Sequence, residues 1–152
     1  MPYSDLLRGR ISLHGTFYHI STVSLERTPR FSDFKLSRIV IKELMRLDEQ
    51  ELSLTYAWVL MPDHLHWIFQ LTGAKSLSEI VRLLKGRSAR RINQFAQSRG
   101  SIWEPGYYDH GIRETEDLRG SAEYLINNPV RDGIVGELGD YPFWDASWLY
   151  DQ

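Results

Sequence analysis

The sequence predicts an α+β fold: a ferredoxin-like, RRM-like βαββαβ sandwich with an antiparallel sheet, followed by one more helix. Three observations predict it. Short β-branched and aromatic runs alternate with longer amphipathic ones in the order strand, helix, strand, strand, helix, strand, helix. The two consecutive strands are separated only by the tight turn Met61-Pro62-Asp63. No repeat, low-complexity tract or linker divides the 152 residues, which fit one domain spanning 1–152.

The first strand is Thr16 to Val23, TFYHISTV, rich in β-branched and aromatic residues. Ser32 or Asp33 caps a helix running to about Leu47, with Phe34, Ile39, Ile41, Leu44 and Leu47 near helical spacing. Leu52 to Leu60 is the second strand and His64 to Leu71 the third. Ser76 or Ser78 opens the next helix, with Leu77, Ile80, Val81, Leu84, Ile92 and Phe95 as its apolar stripe and Arg82, Arg87 and Arg90 turned away from it. Tyr107 to Arg113 is a short fourth strand after the loop from Ser98 to Gly106. Thr115 caps a last helix that stops near Asn128, because Pro129 follows. From about residue 136 the chain is aromatic and irregular, and is expected to wrap the core.

Composition narrows the class. Hydrophobic residues make up 42% and charged residues 25%, ordinary for a globular protein. The absence of cysteine excludes a disulfide scaffold and thiolate metal sites. The first fifteen residues lack the apolar core of a signal peptide, and no run approaches the roughly 18 apolar residues that span a bilayer, so no membrane partner and a cytoplasmic location are expected. Net charge is −2, but residues 1–100 hold 15 basic and 9 acidic side chains against 3 and 11 in the rest. Between Val81 and Arg99 there are six Arg or Lys and no acid, a pattern that fits phosphate binding or a solvated helix face.

The residues with chemistry to offer sit on the third strand and the last helix. Successive side chains of a strand point to opposite faces, so Leu65, Trp67, Phe69 and Leu71 form one face and His64, His66, Ile68 and Gln70 the other. Two imidazoles at i and i+2 project side by side, close enough to share one cation. The pattern is short, and two satisfied polar residues on a half-exposed sheet face would give it as well. On the last helix Tyr124 and Asn128 are four residues apart, about 40° around the axis, beside the stripe of Leu118, Ala122 and Leu125. A helix packed on the histidine face could bring an amide oxygen and a phenol to the same ion. Equally, a helical Tyr is commonly a half-buried aromatic, and Asn is common at helix ends.

The strings MPDHLHWIF, WEPGYYDHGIR and EYLINNPVRDGIV resemble signature blocks of the REP-associated tyrosine transposases, part of the single-tyrosine HUH group that includes small insertion-sequence transposases. The likeness runs in order from GTFYHIST near the start to YPFWDASW near the end. It implies that His64 and His66 are the HUH histidines, that Tyr124 is the nucleophile, and that Asn128 is the polar third ligand of a divalent metal, Mg²⁺ or Mn²⁺. Leu125, Asp132 and Ile134 depart from the more familiar Ile, Ala and Leu, and none touches that chemistry.

The activity implied is metal-dependent cutting and joining of single-stranded DNA beside REP-like hairpins through a 5′-phosphotyrosine, with a homodimer suggested by the insertion-sequence relatives. Arg82, Lys85, Arg87, Arg90, Arg91 and Arg113 are the candidate DNA contacts, and Trp103, Tyr107 and Tyr108 the candidates for stacking on unpaired bases. His110 is given a structural role. Three other readings compete. An RRM-type binding module lacks its Gly/Phe/basic signature here. A metallo-β-lactamase-type hydrolase would need H-x-H-x-D-H, where this chain has Trp67, Ile68 and Phe69 after His66. A domesticated hairpin-binding relative without transposition activity would share every motif.

Overall fold

The computed structural model describes residues 16–150. The segment before Thr16, read above as lacking a signal peptide's apolar core, lies outside them. Five strands form one sheet: β1 (Phe17–Val23), β2 (Ser53–Met61), β3 (His64–Leu71), β4 (Tyr108–Ile112) and β5 (Trp144–Ala146). Their order is β4-β1-β3-β2-β5 with every neighbouring pair antiparallel, the α+β arrangement that the alternation of strands and helices predicts. The helices are α1 (Phe34–Glu49), α2 (Leu77–Ala96), α3 (Leu118–Ile126) and the four-residue α4 (Asn128–Arg131).

Local chemistry explains the boundaries. Asp33 caps α1 by accepting from the backbone of Lys35 and Leu36 at 2.8 and 3.3 Å. Ser76 and Glu79 close a reciprocal capping box at the start of α2. Pro62 and Asp63 form a two-residue loop, so Met61 of β2 pairs directly with His64 of β3. Backbone bonds from Ser24 to Asp63 and from Phe31 to Pro62, at 2.8 and 2.9 Å, pin that loop to the segment after β1.

The sheet is covered on both sides. Leu65, Trp67 and Phe69 are fully buried on one face, where Trp67 donates to Thr55 and Thr55 donates to Asp48 at the end of α1. α1 and α2 pack together over this face. The other face carries His64, His66, Ile68 and Gln70, with Ala57, Val59 and Met61 from β2 beside them. α3 lies against β2 and β5 and α4 against β2, where those three β2 side chains are buried to within 1% of full enclosure.

The structure corrects four expectations. Phe34 and Phe95 do not join the core: they are 58% and 53% exposed, while Ser37, Val40, Glu43, Leu44 and Leu47 form the inner stripe of α1. The last helix is capped by Asp117, whose carboxylate accepts from Gly120 at 2.9 Å, and not by Thr115. Tyr124 and Asn128 do not share one regular helix. The chain breaks at Asn127, and Asn128 opens α4 with Pro129 in its first turn, where the missing N–H costs nothing. The tail is less irregular than expected, since β5 extends the sheet and Tyr141 and Phe143 are buried against it.

Candidate functional site

β3 presents His64 and His66 together, ring centroids 4.8 Å apart, as the alternation of the strand requires. Each is tied by its Nδ1. His64 Nδ1 lies 2.7 Å from Asp63 Oδ1, and Asp63 in turn accepts from Arg27 at 3.1 Å. Burial would raise the Asp63 carboxyl, but the hydrogen bonds and charges of His64 and Arg27 outweigh it and hold the group below the ordinary carboxylate value. His66 Nδ1 lies 3.0 Å from Nε2 of His19, on the neighbouring strand. Burial, followed by the positive charges of His64, His19 and Arg131, pushes His66 down to about 3, so the ring is neutral at physiological pH.

Four histidines therefore share this face. β1 contributes His19, and β4 contributes His110, which pairs with His19 in register. His110 Nε2 lies 3.0 Å from Glu116 Oε2, and the same carboxylate accepts from the Arg113 backbone. Neither His19 nor Asp63 was singled out from the sequence. Asp63 had a readable signal, a carboxylate directly before the first histidine. His19 had none, because its meeting with His66 depends on the register between β1 and β3.

The nucleophile candidate is presented differently. Tyr124 is 68% exposed, and the Arg131 guanidinium stacks on its ring with Cζ 3.6 Å from the centroid. Arg131 also donates to the Tyr124 carbonyl, and its charge is among those felt by His66. Arg131 thus ties α4 to the end of α3, a contact that the sequence reading missed. Asn128 donates its Nδ2 to the Leu125 carbonyl at 2.9 Å, which leaves Oδ1 as the atom its amide can turn to a cation.

A cation needs an imidazole nitrogen with a lone pair to spare, and both histidines are placed to offer Nε2, since both Nδ1 atoms are engaged. Among the described residues no group of three His, Cys, Asp or Glu is placed to hold a metal ion. A third protein ligand would have to be of another type, as the Asn128 amide is.

The other predicted contacts separate into two regions. Arg82, Lys85, Arg87, Arg90 and Arg91 lie on α2, across the sheet from the histidines. Lys85 is held by the carbonyls of Glu104 and Gly106, Arg87 by Gln50 and Arg91 by Glu43, while Arg82 and Arg90 are exposed. Arg113 is exposed at the end of β4. Trp103 cannot stack on a base: it is 5% exposed and donates to Ser88. Tyr107 is half-buried, whereas Tyr108 is 57% exposed with its ring edge-on to His19.

The sequence profile of the family described as "Transposase IS200 like" matches residues 12–128. The chain belongs to this family. It is 37% identical over 90 residues to the REP-associated tyrosine transposase of Escherichia coli K12, covering 57% of this chain and 50% of that protein. It is 30% identical over 99 residues to a provisionally named REP-associated tyrosine transposase of Haemophilus influenzae, covering 59% and 56%. The matched region spans about half the length of these curated relatives. Its fold is similar to the solved structure of a REP-associated tyrosine transposase bound to a REP hairpin, with a TM-score of 0.73, 24% identity, and coverage of 86% of this chain and 76% of that one. No helix of the described residues is long and apolar enough to cross a membrane.

Proposed function

We propose that this member of the IS200-like transposase family cuts and rejoins single-stranded DNA beside a REP-type hairpin, through a covalent link to Tyr124. The observation that carries the reading is the paired presentation of His64 and His66, each with Nδ1 engaged and Nε2 left for a cation. The names of the curated relatives support the reaction class, and the solved structure of a REP-associated tyrosine transposase bound to a REP hairpin supports the hairpin. His64, His66 and Asn128 would hold Mg²⁺ or Mn²⁺, the imidazoles favouring Mn²⁺. When bound, the cation neutralises a non-bridging oxygen of the scissile phosphate.

The chain's own residues do the rest. A phenol with a pKa of about 10 is a weak nucleophile at neutral pH, so Tyr124 depends on being held in line with the phosphorus. Its oxygen forms a bond to phosphorus as the bond to the 3′ oxygen breaks. The phenol proton passes to solvent, to which Tyr124 is open, the leaving 3′ oxygen takes a proton from solvent, and the products are a 5′-phosphotyrosine and a free 3′-hydroxyl. Attack by another 3′-hydroxyl reverses the step, so joining needs no ATP. Arg131 sits beside Tyr124 with a planar guanidinium suited to a phosphate oxygen.

The α2 arginines, lying across the sheet, are assigned to the backbone of the hairpin and not to the scissile strand, with Arg82 and Arg90 the residues freest to serve. The protein is assigned to the cytoplasm, where such DNA is found.

The deciding experiment uses a labelled hairpin with single-stranded flanks, with and without Mn²⁺. An SDS-resistant protein–DNA adduct is expected that requires the cation and is absent in Tyr124→Phe. An adduct that persists in this variant moves the nucleophile to Tyr107 or Tyr108. Undiminished cleavage in His64→Ala removes the histidine pair from the mechanism.

A further inference from the structure

His66 can offer a cation only one nitrogen, and the other is already committed to His19. A neutral imidazole carries one N–H and one lone pair, so a hydrogen bond between two such rings can run either way. With the hydrogen on His66 Nδ1, its Nε2 is a bare lone pair. With the hydrogen on His19 Nε2 instead, His66 becomes the acceptor, its own hydrogen moves to Nε2, and that nitrogen is lost to a cation. His64 has no such freedom, because the ionised Asp63 carboxylate 2.7 Å away can only accept.

We propose that His19 is a positioning residue that selects the ligating form of His66, by accepting the Nδ1 hydrogen and leaving Nε2 for a divalent cation. The inference rests on reading His64 and His66 as a cation site. His19 is well held for the task. Its backbone pairs with Ile68 of β3 on one side and His110 of β4 on the other. Its ring lies against His66 at 5.1 Å and edge-on to Tyr108 at 5.8 Å. The two histidines thus have different acceptors, a carboxylate and a neutral ring. A second carboxylate at position 19 would place another fixed anion where a phosphate must enter, and a neutral ring can accept the hydrogen without adding that repulsion.

The test uses the full chain without DNA and Mn²⁺ alone as the probe, with binding followed by titration calorimetry. His19→Phe keeps a flat ring and removes the acceptor; Mn²⁺ binding is expected to weaken about 10- to 100-fold, the usual effect of losing a ligand's hydrogen-bond partner. His19→Gln supplies a carbonyl oxygen that can accept the same hydrogen, and should recover most of the loss. Imidazole ¹⁵N spectra of the metal-free protein should show the His66 hydrogen on Nδ1; finding it on Nε2 overturns the proposal without any variant. Unchanged binding in His19→Phe also overturns it. If both variants are equally weakened, the loss belongs to packing and the proposal fails. His64→Ala separates the two ideas: if it abolishes Mn²⁺ binding while His19→Phe does not, only the role of His19 falls. If it leaves binding intact, the cation site itself is wrong.

Discussion

At the scale of single residues, chemistry and folding are divided between neighbouring side chains. Leu65 and Trp67 are fully enclosed, while His64 and His66 between and beside them keep access to solvent. Tyr124 is more exposed still, so Tyr124→Phe should change stability by no more than about 0.5 kcal/mol in urea unfolding. Arg131→Ala should slow single-turnover adduct formation roughly 10- to 100-fold, the equivalent of about 1.5–3 kcal/mol for a charge-assisted hydrogen bond, with hairpin affinity little changed. Arg131→Lys keeps the charge and loses the planar stack, so an intermediate rate is expected. An unchanged rate in Arg131→Ala would exclude it from the reaction. The pair His64–His66 was legible because alternation along one strand is a property of sequence. His19 and Arg131 were not, and His110 was read only as structural, because their places depend on pairing between strands and on the turn at Asn127, which no local pattern encodes.

At the scale of elements, the helix that carries Tyr124 is short, and its start matters. Asp117→Ala removes the carboxylate that accepts from Gly120 and should cost about 1 kcal/mol, seen as a lower midpoint in urea. Thr115→Ala should leave that midpoint in place, and an equal loss in both variants would mean that the cap is shared. Gly120→Ala, which usually helps an exposed helix, should not help here, because a Cβ at 120 would run into the Asp117 carboxylate. The sequence pointed to Thr115 as the cap, two residues early, and only the geometry of the capping bond identifies Asp117. The strands were easier to read. β3 runs from His64 to Leu71 as the alternation requires, because its two ends are fixed by a turn and by Thr72-Gly73. Amphipathic phase was harder: α1 buries Ser37 and Glu43 and exposes Phe34, an inversion that hydrophobicity alone cannot foresee. Glu43 is accommodated there because Arg46 and Arg91 both pair with it.

At the scale of the whole molecule, the tail completes the sheet. Tyr141 donates its hydroxyl to the Leu60 carbonyl at 2.5 Å, bringing residues 81 positions apart together. Burial raises this phenol to about 12, against about 10 in an unfolded chain. The fold favours the neutral form, so the contribution is complete below pH of about 10 and is lost as pH rises through about 12. Tyr141→Phe should lower stability by about 1 kcal/mol at neutral pH and flatten the decline above pH of about 10, measured by urea midpoints across that range. A decline as steep in the variant would assign it to other groups. The overall βαββαβ order was legible from the alternation of short and long apolar runs, while β5 was not, since three residues are too few to show a period.

The two-residue loop at Pro62 and Asp63 has a consequence for how this lineage can change in length. Side chains alternate along β3, so one inserted or deleted residue in the loop would shift the pairing with β2 by one position. Leu65, Trp67 and Phe69 would then exchange faces with His64, His66 and Ile68, and the core and the site would be lost together. Insertions should therefore be absent between Met61 and His64 in any descendant that still folds, and should gather instead in the exposed stretch around Gln97 to Ser101, where no such alternation is at stake.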